Sequence, residues 1–123
     1  MNDAFSLYDL EVSVVGDPDT FVCSHKPGFA FTVIGENLTF IDNHQFSLYA
    51  LGALLPLLPA KQRVTHENDW MSTDDFVHCP DPHCGAQFKI TRTNKTTFHH
   101  SEVTRVPLSK KENDSAKDSR TII

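Results

Sequence analysis

The sequence predicts an α+β fold: a small, mainly antiparallel sheet packed around one long apolar helix, with a disordered polar tail at the C-terminus. Three observations carry this. Short segments alternate apolar and polar residues between Gly, Pro, Asp and Asn turns, the mark of half-buried strands. One stretch, residues 46–58, repeats apolar residues at helical spacing. From about Pro107 onward Ser, Lys, Asp, Glu and Asn dominate, a composition unable to bury a core.

The elements follow in order. Tyr8, Leu10, Val12 and Val14 alternate with Asp9, Glu11 and Ser13, giving a first strand. Gly16-Asp17-Pro18-Asp19 closes it with a turn, and Lys26-Pro27-Gly28 makes a second. Phe29, Phe31 and Val33 alternate with Ala30 and Thr32, so these three share a face of the next strand. Gly35-Glu36-Asn37 then turns into Leu38-Thr39-Phe40-Ile41, which makes a hairpin. Asp42 or Asn43 caps the helix, with Gln45 answering Asp42. The apolar stripe places Tyr49, Leu54 and Leu57 in the core, and a second stripe (Leu48, Leu51, Leu55, Leu58) leaves the helix buried on most sides. Pro56 lacks an amide proton, so a kink or break is expected near residues 52–56. Thr65 to Asp75 is a long loop or a short helix. Ala86 to Thr93 alternates again and forms the last strand.

The length of 123 residues suits a single domain, expected over 6–104, with a flexible polar tail over 105–123. Hydrophobic residues make up 39% of the chain, enough for a core. The net charge is −5, and residues 1–104 hold six basic against thirteen acidic groups, which argues against a nucleic-acid surface. No apolar run reaches the roughly 18 residues that a membrane span needs. The N-terminal residues have no basic segment followed by an apolar one, so a cytoplasmic location is expected. Oligomeric state is not legible.

All three cysteines, Cys23, Cys79 and Cys84, fall in two short segments, Cys23-Ser-His-Lys26 and His78-Cys-Pro-Asp-Pro-His-Cys-Gly85. An odd number of cysteines without an export signal points to reduced thiols or a metal site rather than disulfides. Cys23, His25, Cys79 and Cys84 together would make a tetrahedral Cys3His set for zinc, with His78 or His83 as substitutes if one of them faces away. Copper, or no ion at all, fits the same residues, because free cysteines are often simply buried. A second constellation is polar. His25, Lys26, His66, Asp69 and Asp81 could share acid–base work, with Trp70 as a pocket wall. Their plain alternative is a set of solvated loops and turns.

Tyr8-Asp-Leu-Glu-Val12, Cys23-Ser-His-Lys-Pro-Gly28, Tyr49-Ala-Leu51, Asp69-Trp70 and Cys79-Pro-Asp-Pro82 occur in this order. Over about residues 7–92 the chain resembles a family of small uncharacterised proteins marked by Cys-x-His-Lys and Cys-Pro-Asp segments. The resemblance implies a shared site at His25, Lys26, Cys79 and Asp81, and no particular reaction. Two departures stand out: Ser47-Leu48-Tyr49 replaces the family's Cys-Pro-Tyr helix start, and Ser24 replaces its Gly before His. Cys84 lies outside the family's pattern.

Three readings follow. The first is a small zinc-binding domain. The second is a metal-free biosynthetic enzyme, a lyase, isomerase or cyclase, acting on a small apolar substrate. The third is a non-catalytic partner in a larger complex, to which the terminal Thr121-Ile122-Ile123 could dock.

Overall fold

The structure, a computed structural model, describes residues 2–109. It is α+β, built on one five-stranded sheet in the order β3-β2-β1-β5-β4. The strands are β1 (Ala4–Val15), β2 (Gly28–Ile34), β3 (Asn37–Phe40), β4 (Phe76–His78) and β5 (Gln87–His99). The helices are α1 (Leu48–Leu54), α2 (Leu58–Gln62) and α3 (His100–Val103). No helix among the described residues is long and apolar enough to cross a membrane.

The chain divides into two units, Ser6–Thr96 and a second made of the N-terminal residues to Phe5 together with those from Thr97 onward. In the second, Asp3 accepts hydrogen bonds from the Ser101 amide and pairs with His99 at 3.0 Å. The tail expected from residue 105 lies mostly outside the described residues, which end at 109; residues 105–109 form neither helix nor strand.

The larger unit carries the core. Alternation in β1 buries Leu10, Val12 and Val14. β2 runs antiparallel to β1 and to β3, and Gly35, at φ 60°, opens the tight turn of the β2–β3 hairpin. The register slips between Val12 and Ser13: Val12 faces Phe31 while Ser13 faces Phe29, leaving Ala30 as the extra residue. That bulge corrects the simple alternation expected of β2. Ala30 is buried with Phe31 and Val33, and Phe29 turns out to 38% exposure.

The helical region differs most from expectation. Residues 41–43 form a 3-10 turn rather than a helix start, with Asp42 and Asn43 in the left-handed region at φ 49° and 56°. The helix begins at Leu48, where the Ser47 hydroxyl accepts from the Ala50 amide. It runs for only seven residues before a turn at Leu55–Leu57, and α2 then starts with Pro59 in its first turn. The single long helix is thus two short ones, broken beside Pro56. Ala50, Leu54 and Leu58, spaced by four, form the buried stripe. Tyr49, expected in the core, is 79% exposed, and Leu48 and Leu55 also face outward. Leu57 packs against the core only in part.

Polar contacts fix the helix pair. The buried Lys61 ammonium donates to the Met71 carbonyl at 2.6 Å and to Asp75 at 2.8 Å. Arg92 of β5 donates to the carbonyls of Lys61 and Arg63, satisfying acceptors at the end of α2. Gln62 donates to the Gly35 carbonyl, tying α2 to the hairpin.

Candidate metal centre

Two loops build the site. The first, residues 21–27, follows a 3-10 turn at Pro18–Thr20 and leads into β2; Cys23 and His25 lie there in irregular backbone, not on a strand. The second joins β4 to β5. In it, the Cys79 amide donates to the Ala86 carbonyl, the Cys84 amide to the Asp81 carbonyl and the His83 amide to the Asp81 carboxylate. These bonds close a tight turn in which Pro80 and Pro82 have no amide of their own to satisfy.

The loops meet at Gly85. Its amide donates to the Thr20 carbonyl at 2.9 Å, and a methyl group at this position would overlap the Thr20 side chain. Only glycine allows that approach. His25 is further held edge-on against Phe88, at 5.1 Å between ring centroids, and near Phe21. Phe88 in turn joins Phe46, Phe31 and Phe40 in one aromatic cluster, so the imidazole rests on the core.

The result is a group of four donors. The Sγ atoms of Cys23, Cys79 and Cys84 and a ring nitrogen of His25 all lie within 4.8 Å of one another. Cys23 Sγ is 3.9 Å from Cys79 Sγ, and His25 Nε2 is 3.3 Å from Cys79 Sγ. A tetrahedral ion with sulfur at about 2.3 Å and nitrogen at about 2.0–2.1 Å would set these edges at roughly 3.5–3.8 Å. The two observed edges fall on either side of that range. Such a group can hold a metal ion. Cys79 and Cys84 are buried, and Cys23 and His25 half-buried.

The surroundings tune the donors unequally. Burial, followed by the hydrogen bond to Cys79, pushes the Cys23 thiol up to about 12. Burial would raise Cys84 too, but the amides of Cys23, Ala86 and Val22 point at its sulfur and bring it down to about 7. The Val22 contact is 3.4 Å. Amide donors of this kind stabilise a thiolate, the form that binds metal. Burial lowers the pKa of His25, which favours the neutral imidazole a metal also requires.

Of the remaining expected site residues, Asp81 stays beside the group and the others go elsewhere. Asp81 neighbours the group, accepting from the Cys23 thiol at 3.7 Å. Lys26 points to His44, with Nζ 3.4 Å from Nε2. His66 accepts from the Asn68 amide, and Asp69 caps the 3-10 turn Trp70–Ser72. Trp70 is exposed. His78 lies against the Cys79 carbonyl, and neither His78 nor His83 belongs to the donor group. The Val22 amide has no signature in the sequence, and the Thr20–Gly85 contact has one, the glycine after Cys84.

Compared with known proteins, the chain matches no family model, no curated protein and no solved structure.

Proposed function

We propose that this is a small zinc-binding protein in which Cys23, His25, Cys79 and Cys84 hold one ion that fastens the 21–27 loop to the β4–β5 loop. The observation that carries the reading is the mutual approach of four soft donors from two distant segments. Three thiolates and one imidazole in a tetrahedral set suit zinc, and four protein ligands leave no open position, the pattern of a structural rather than a catalytic ion. The Phe88 contact and the Val22 amide support the same reading, because they orient ligands without belonging to them.

The test is element-resolved metal analysis of protein purified without a histidine tag. One zinc per chain, lost in Cys79→Ser and in Cys84→Ser, is expected. A chain that takes up no zinc when reduced and given the ion in excess overturns the reading.

A further inference from the structure

A small recess of mixed polar and apolar lining includes His25 and presents Ser24, Lys26, Phe29, His44 and Ser47. Its chemistry is unusual for this chain. No carboxylate lines it, although acidic residues outnumber basic ones 16 to 11 overall. Among the described residues the salt bridges are Lys61–Asp75 and Asp3–His99, so Lys26 has no acidic partner. Its ammonium has instead been brought to an imidazole, at 3.4 Å from His44 Nε2. Two consecutive left-handed residues, Asp42 and Asn43, turn the chain just before His44. Asp and Asn adopt this conformation more readily than other non-glycine residues, and the turn they make delivers His44 to the recess.

We propose that this recess binds the carboxylate of a small organic acid, with the apolar part of the ligand against Phe29. Lys26 has three ammonium protons and gives one to His44 Nε2, which leaves two for an anion. Ser24, Gln45 and Ser47 add neutral donors; the Ser47 hydroxyl already accepts from the Ala50 amide, and its own proton remains to be donated. The enclosed space is about 10 Å³, room for one water-sized group. The recess therefore takes a single oxygen of a head group and leaves the body of the ligand outside. Phe29, turned outward by the β2 bulge, offers the apolar contact at the mouth. A carboxylate leaves one further oxygen outside the recess where a tetrahedral oxyanion leaves three, so it sets less charge and more apolar surface against the Phe29 ring. His25 lines the recess as well as belonging to the donor group, but the groups that would hold the carboxylate, Ser24, Lys26, Gln45 and Ser47, are not metal donors.

The experiment is a titration of the full chain, zinc-loaded and metal-free, with benzoate, acetate and inorganic phosphate, followed by amide and side-chain NMR shifts. Benzoate should saturate, shift His44 and Phe29 together, and bind more tightly than acetate. Lys26→Met should weaken benzoate about tenfold or more, as expected for loss of a charged hydrogen bond, while Lys26→Arg keeps most of the affinity. His44→Gln serves as a second variant in case Lys26→Met folds poorly, and it too should weaken binding. Absence of saturation with benzoate overturns the proposal, as does phosphate binding more tightly than benzoate. Zinc content measured on the same samples judges the metal reading separately.

Discussion

His25 Nε2 stands 3.3 Å from Cys79 Sγ across 54 positions of sequence. Each residue sits in irregular backbone or at a turn, so the pairing depends on the two loops being held together. An ion at this point would cross-link them in the folded state only, and binding would add to stability by mass action. At a free ion concentration a thousandfold above the dissociation constant the gain is about 4 kcal/mol. The melting temperature should therefore rise with added zinc and fall with a chelator. His25→Ala should lose at least about tenfold in zinc affinity. X-ray absorption at the zinc edge should fit three sulfurs at about 2.3 Å and one nitrogen at about 2.0–2.1 Å. A shell of oxygens only would show that the ion is held elsewhere.

Asp81 has two roles that one substitution separates. Its carboxylate caps the turn by accepting from the His83 amide at 2.9 Å, and it also faces the Cys23 sulfur at 3.7 Å. Once Cys23 is a thiolate, a neighbouring negative charge opposes it. Asp81→Asn keeps an oxygen for the His83 amide and removes the charge, so zinc affinity should rise severalfold with stability little changed. Asp81→Ala removes both and should cost about 1 kcal/mol of stability. Competition against a chelating dye measures the first effect and urea unfolding the second. An unchanged affinity in Asp81→Asn would mean that the carboxylate turns away when the ion binds.

Gly85 is the contact point of the two loops. A methyl there overlaps the Thr20 side chain, and the strain should cost about 1–3 kcal/mol in Gly85→Ala. Because Thr20 leads into the loop of Cys23 and His25, zinc affinity should fall in the same variant. Removing the obstruction in the double variant Gly85→Ala with Thr20→Gly should recover part of both losses. A double-mutant cycle with no coupling would contradict the packing described.

The sequence shows the donors plainly, because cysteine and histidine at short spacing are few and conspicuous. The strand alternation of Leu10, Val12 and Val14 is equally plain, since period two permits only one buried face. The helix is harder to read. Apolar residues surround it on two stripes, so the pattern does not say which side meets the sheet. Pro56 breaks it into two short pieces, each with room for a narrow contact, and Ala50, Leu54 and Leu58 take that contact instead of Tyr49. The bulge at Ala30 is hidden for another reason: it depends on the partner strand, which local alternation does not report.

The same geometry gives contrasting expectations for neighbouring positions. Leu54 is fully buried, so Leu54→Ala should cost about 2–5 kcal/mol. Tyr49→Ala, on the outward face, should stay within about 0.5 kcal/mol. Chemical denaturation of both variants checks the orientation of α1. A larger loss at Tyr49 than at Leu54 would require the helix to be rotated.

The Asp3–Ser101 contact makes the fold sensitive to acid. The Ser101 amide, and then the hydrogen bond with His99, hold the Asp3 carboxyl down at about 2, below its ordinary 3.8. An acid whose folded pKa is depressed stabilises the folded state while it is ionised and its unfolded counterpart would also be ionised. The contribution is therefore complete above about 3.8, declines as the pH falls, and is gone below about 2. The Asp3 carboxyl carbon should titrate with a midpoint near 2, and protection of the Ser101 amide from exchange should be lost over the same range. In Asp3→Asn that acid-linked loss should disappear, since the amide has no charge to lose. A midpoint near 3.8 would mean that the Asp3–Ser101 clamp does not form in solution.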